Sequence, residues 1–186
     1  MMYLYLAFPK DLRDDLAKAT AIIPDVHSAS TAGSITYKLE NHAVIIPYRL
    51  YVPDVADDCY EKLDPVQKQM LCCLYTRNHD GFLREKYLRR LLSMPLAEWA
   101  YPYVVKLCDE YVVEILQTIY DGLKERDNAG LQAFCLRNKP LLQRSYNQMV
   151  SYWNEFYRSH TPHFRSYIGR KLFRDCLGYD RTFERD

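Results

Sequence analysis

LYTRNHDGFLREKYLRRLL, residues 74–92, sets a histidine beside an aspartate and a glycine, with arginines on both sides. Two readings compete, and they lead to different proteins. In the first, a helix ends near Arg77–His79, Asp80 caps a second helix and Gly81 eases the turn between them. Leu83, Tyr87, Leu88, Leu91 and Leu92 then form the apolar stripe of that second helix. In the second, His79, Asp80 and Arg84 form a catalytic cluster. The joint is favoured, because an aspartate ahead of an apolar periodic run is the ordinary signature of a helix start.

Upstream, Asp64-Pro65-Val66-Gln67 carries an N-cap, a proline at the first helical position and a glutamine three residues after the cap. Val66, Met70, Cys73 and Leu74 should line the inner face of this helix. Downstream, residues 96–123 read as one central helix, apolar nearly all round, with a kink or break near Pro102. Lys106, Glu110, Glu114, Gln117 and Asp121 form a single polar stripe on it. Glu110 and Glu114 could hold a metal, but no Glu-x-x-His companion exists, so a solvated stripe is expected. After Asn138-Lys139-Pro140, a further helix should bury Leu142, Tyr146, Met149, Val150, Trp153, Phe156 and Tyr157. A last helix holds Phe164, Ile168 and Leu172 and stops at Gly178, ahead of a charged tail.

At the other end, YLYLAF (3–8) alternates like a short strand, and Pro9 opens a helix with Leu12, Leu16, Ala19 and Ile23 inward. PDVHSASTAG (24–33) is a polar loop. SITYKLE-NH-AVIIPYRLYV (34–52) reads as a β-hairpin turning at Asn41-His42, with Leu39 opposite Val44 and Tyr37 opposite Ile46. Ile35, Tyr37, Leu39, Val44 and Ile46 then share the buried face. Pro47 falls opposite Thr36, on an edge strand or at a bulge. His42 is accounted for as a turn residue. PDVADDCYEKLD (53–64) is an acidic connector.

The expected class is therefore α+β and predominantly α-helical. A small strand–helix–hairpin subdomain (1–53) precedes a bundle of about five helices (54–186) around a central apolar helix, the two forming one continuous globular unit. Composition agrees: 186 residues, 48% hydrophobic, net charge +1. Seventeen tyrosines against six glycines favour half-buried rings and interfaces over a phosphate-cradling loop. Six cysteines without a CxxC pair suit buried, reduced thiols, and no apolar run approaches the roughly 18 residues of a membrane span. The start MMYLYLAFPKDL lacks the marks of a signal peptide, so a soluble cytoplasmic protein is expected.

Two family resemblances attach to the opening stretch. Asp80-x-x-Leu83-Arg84-x-x-Tyr87-x-x-x-Leu91 resembles the second helix of a HEAT-type repeat, over at most residues 65–123. The resemblance implies apolar positions packed on the preceding helix, with Tyr87 where that family has a small residue. His79-Asp80 also resembles the metal-binding doublet of HD-type phosphohydrolases, which implies further histidine and aspartate ligands from neighbouring helices. The other histidines, His27, His42, His160 and His163, fall in loops, turns or helix ends. The IPYR (46–49) and HDG (79–81) stretches resemble those of uncharacterised bacterial proteins, a likeness that implies no activity.

Residues 137–174 hold eight Arg or Lys and one acid, Glu155, interleaved with eight aromatic residues. Arg144 and Arg158, fourteen residues apart, should share a helix face about 21 Å from one another. Arg165, Arg170, Lys171 and Arg174 extend the basic surface. P-loop, GxSxG, GxGxxG and HExxH motifs are absent. The function expected is a non-enzymatic interaction module, binding a protein or nucleic acid through this basic, tyrosine-rich face, with homo-oligomerisation left open. No metal or cofactor is expected. The alternative is a small metal-dependent hydrolase or nuclease using His79, Asp80 and Arg84.

Overall fold

A computed structural model describes residues 4–26 and 29–179. The chain is mostly helical, with one two-stranded antiparallel sheet near its N-terminus. No described helix is long and apolar enough to cross a membrane. Backbone contacts divide the chain into two compact units, residues 1–103 and 104–186.

In the first unit, Leu4–Leu6 form a 3-10 turn instead of the strand expected over 3–8, of which Tyr3 lies outside the described residues. Ala7 N–H closes this turn on Leu4 C=O (3.0 Å). Leu4, Ala7 and Phe8 are buried together, a spacing of three and four that a turn satisfies and an alternating strand does not. A second 3-10 turn (Lys10–Leu12) leads into α1 (Arg13–Ala21), which buries Leu16 and Ala19, with Ile23 buried just beyond its end. The polar loop is shorter than expected, because β1 already begins at Ser30; its His27 and Ser28 lie outside the described residues.

β1 (Ser30–Lys38) pairs with β2 (Ala43–Tyr51) two residues away from the expected register: Tyr37 faces Val44, Ile35 faces Ile46, and Pro47 faces Ser34. A two-residue turn of the usual hairpin type needs a positive φ, and neither Asn41 nor His42 has one. The loop is instead Leu39–His42, closed by Leu39 N–H on His42 C=O (2.8 Å). A shift of two keeps every side chain on its face, so Tyr37, Leu39, Val44 and Ile46 remain buried.

The acidic connector contains a short helix, α2 (Asp57–Glu61). α3 (Pro65–Tyr75) starts with the expected capping box: Asp64 accepts from Gln67 N–H, and the Gln67 side chain accepts from Asp64 N–H. Val66 is exposed, contrary to expectation, whereas Gln69 through Tyr75 are all buried. Neighbours cover α3 on several sides. Gln67 reaches Asp15 of α1, and Gln69 bonds the Pro95 carbonyl and the Ala97 amide. α4 (Gly81–Leu92) packs along α3, where Tyr87 finds room by stacking on Tyr75 (4.2 Å between centroids) and donating to Asp54.

α5 (Tyr101–Leu107) tolerates Pro102 because a proline in the first turn has no hydrogen bond to lose. The long central helix expected over 96–123 does not form. α5 ends at Leu107 and the chain restarts as α6 (Val113–Leu123). The polar stripe is split accordingly: Lys106 and Glu110 are buried, and only Glu114, Gln117 and Asp121 face water. Lys106, in the last turn of α5, forms an ion pair with Asp109 in this break.

The second unit continues with α7 (Ala129–Arg137), α8 (Lys139–Tyr152) and α9 (Ile168–Asp175). Leu116, Ile119, Phe134, Leu142, Met149, Leu172 and Phe173 are among its buried side chains. Phe164 belongs to a separate 3-10 turn (Phe164–Ser166) and not to the last helix, whereas Gly178 ends the chain's helical run with φ of 69°, as expected. The charged tail from Asp180 lies outside the described residues. A Cβ at Gly169 would lie 2.8 Å from Met149 and from the Tyr167 ring. Gly169→Ala is therefore expected to cost about 1–3 kcal/mol through overpacking, read as a lower urea midpoint; an unchanged midpoint would show that Met149 yields freely.

Candidate functional site

The joint of residues 74–92 is built from backbone demands. Asp80 Oδ1 accepts from the amides of Phe82 (2.8 Å) and Leu83 (3.4 Å), capping α4. Asn78 accepts from Asp80 N–H and donates to the Val52 carbonyl. The buried Arg84 guanidinium donates to the carbonyls of Asn78 (3.0 Å) and His79 (2.9 Å). Leu50 of β2 exchanges backbone bonds with Arg77 and His79, so the joint docks on the sheet edge. The His79 ring is exposed and stacks on Tyr51 at 5.1 Å. The structure thus brings His79, Asp80 and Arg84 together, but it turns the Asp80 carboxylate and the Arg84 guanidinium toward main chain. Among the described residues no group of three His, Cys, Asp or Glu is placed to hold a metal ion. Asp80→Ala should cost about 1 kcal/mol as a lost cap, seen in the melting curve. A melting curve left untouched would deny the cap its role.

The connector is fastened to α4 by charge. Asp54 accepts from Lys86 Nζ (2.8 Å) and Tyr87 OH (2.8 Å), and Asp57 pairs with Lys86 and Arg90. Burial pushes the Asp54 carboxyl up, but the bonds from Lys86 and Tyr87 outweigh it and hold it below its ordinary 3.8. Asp57 is lowered mainly by its bonds from Arg90 and Lys86. Such carboxyls contribute stability above the ordinary carboxylate value and lose it as pH falls through their depressed folded values. Urea titrations should show stability falling more steeply below about pH 4 in the native chain than in Asp54→Asn; parallel slopes would remove Asp54 from the acid response.

The basic residues of the second unit do not form one face. Arg144 is exposed on α8. Arg158 follows a π-helical turn (Trp153–Tyr157) whose Arg158 N–H bonds Trp153 C=O at 2.8 Å. One such turn adds about one residue to the helical register, a phase change of roughly 100°. Arg144 and Arg158 therefore leave their common line, and Phe156, expected inside, is 54% exposed. Arg158 sits 5.9 Å from the Trp153 ring centroid, and Trp153 packs on Phe164 at 4.8 Å, next in sequence to the exposed Arg165. Arg158 thus lies against one aromatic pair, and the exposed Arg165 follows Phe164 of that pair in the chain. Arg170 and Lys171 are half-buried on α9, with Arg170 donating to the Tyr179 carbonyl, and Arg174 is ion-paired with Asp175.

The same π turn assembles rings that the sequence pattern does not reveal. Tyr111 (52% exposed), Tyr152 and Phe156 lie at mutual centroid distances of 6.0, 6.4 and 6.1 Å. Tyr157 OH donates to the Tyr111 carbonyl (2.6 Å) and accepts from Val113 N–H (3.3 Å), tying the break between α5 and α6 to the π turn. Tyr111 sits in that break, and Phe156 reads as core in a regular helix, so periodicity alone carries no signal for this cluster.

A comparison with known protein families, with curated proteins and with solved structures finds no match.

Proposed function

We propose that residues 104–179 act as a non-enzymatic binding module for single-stranded nucleic acid. The supporting observation is the cluster of Tyr111, from the break between α5 and α6, with Tyr152 and Phe156 on the helix that leads to Arg158. Two of the three rings are more than half exposed, and Arg165 is a further exposed cation of this unit. Exposed rings offer stacking surfaces that any base can use, worth about 1–3 kcal/mol per base. Guanidinium groups beside them neutralise phosphates and release counterions. Near-neutral net charge with a local basic excess suits a defined strip more than a diffuse polyanion surface. Five buried cysteine thiols, with Cys72 pushed up to about 12 by burial, suit a reducing, cytoplasmic setting.

The test is fluorescence anisotropy with labelled single-stranded oligonucleotides over a range of salt. Phe156→Ala and Tyr111→Ala should each weaken binding about tenfold. Arg158→Glu with Arg165→Glu should leave stability within about 0.5 kcal/mol and flatten the salt dependence by about 0.7 per lost phosphate contact. Binding that ignores the ring substitutions would defeat this reading. A pull-down partner that survives nuclease treatment and is lost in the arginine variant would assign the face to an acidic protein instead.

A further inference from the structure

We infer that the first unit carries a second, separate site, for a single-chain amphiphile with a carboxylate head, such as a free long-chain fatty acid. Two cavities adjoin at Tyr5 and Arg13, which line both. They differ in character.

The larger, about 500 Å³, is walled by Leu4, Leu16, Ala17, Ala21 and Val26. Of its two hydroxyls, Thr20 Oγ1 already donates to the Leu16 carbonyl at 2.8 Å, and the other belongs to Tyr5, which also lines the smaller cavity. The walls therefore ask for hydrocarbon. The room exists because α1 places alanine at both 17 and 21, one turn apart on the same side, where larger side chains would close it. The smaller cavity, about 300 Å³, has Phe8 and Pro9 in its wall and three basic side chains, Lys10, Arg13 and His42, against one acid, Asp11. It favours an anion. The Arg13 guanidinium lies 5.8 Å from the Tyr5 ring centroid, so it stands at the boundary between apolar trough and charged end. A planar guanidinium in that place can grip a carboxylate through two parallel bonds while the chain lies along α1.

Volumes of this size fall within the range of small-molecule sites. The split in polarity is what selects the ligand: a compact anion would leave the trough empty, and a neutral hydrocarbon would leave Arg13 and Lys10 unused. Residues of the second unit take no part, so this site and the nucleic-acid face stand or fall separately.

Titration calorimetry of the full chain with octanoate, decanoate and dodecanoate, each below its micelle concentration, tests the inference. Affinity should rise up to about fourfold per added methylene, the factor for burying one CH₂. Arg13→Gln should weaken dodecanoate at least tenfold while leaving dodecanol unchanged. Ala17→Leu with Ala21→Leu should abolish both without lowering the melting temperature, since leucine and alanine are both good helix formers. Oligonucleotide binding should be untouched in every variant. No heat with dodecanoate, affinity independent of chain length, or full binding in the leucine variant would overturn the site. Capture by anionic vesicles without binding of monomeric dodecanoate would overturn it too, in favour of a membrane surface.

Discussion

Asp109→Ala is expected to lower the stability of the chain by about 3–5 kcal/mol, among the largest effects of any single polar substitution here. Lys106 and Asp109 are an i,i+3 pair whose side chains are only 7% and 11% exposed. Both carboxylate oxygens accept from the ammonium, and Ser145 of α8 donates to one of them at 3.1 Å. Removing the carboxylate leaves a buried ammonium short of its counter-charge and strips Ser145 of an acceptor. The loss should appear as a urea midpoint shift with an unchanged denaturant slope. The double replacement Lys106→Met with Asp109→Leu should be milder than the single one, because removing both charges removes the desolvation cost as well. A single variant within about 1 kcal/mol of the native chain, well below the range for a broken buried pair, would refute the role given to this pair.

Arg84→Met is expected to cost about 2–5 kcal/mol, from one buried and one part-buried carbonyl each losing a donor. Methionine keeps much of the apolar stem, so the loss isolates the guanidinium. Its bonds to Asn78 and His79 hold the joint in the shape that lets Leu50 pair with Arg77 and His79. Hydrogen exchange of the Leu50 and His79 amides should accelerate along with the drop in global stability. A variant of native stability that had lost a hydrolytic activity would return His79, Asp80 and Arg84 to the catalytic reading.

Much of the first unit was legible because its signals are local. The Asp64 box and the Asp80 cap are satisfied within three residues of the side chains that make them, so the sequence window contains both partners. The inward face of the hairpin was legible from alternation, although its loop was not: two registers differing by two residues bury the same side chains. The candidate site of the second unit was legible only as composition. Between residues 137 and 174 the sequence shows how many basic and aromatic side chains there are, but their arrangement depends on one π turn that no periodic pattern announces.

Sequence alone determined that the chain is α+β and mostly helical, where α3 and α4 begin, and which hairpin face turns inward. These follow from propensity, capping and alternation, each settled among near neighbours. Tertiary structure decided the 3-10 turn at Leu4–Leu6, the break of the expected central helix between Leu107 and Val113, and the exposure of Phe156. The break and the π turn are held by partners far apart in the chain: Tyr157 meets Tyr111 across 46 residues, and Ser145 meets Asp109 across 36. A regular helix through either place would satisfy its own backbone equally well. What tips the choice is the burial of Lys106, Asp109 and Glu110 and the bonds to Tyr157, and these exist only once the chain has folded back on itself.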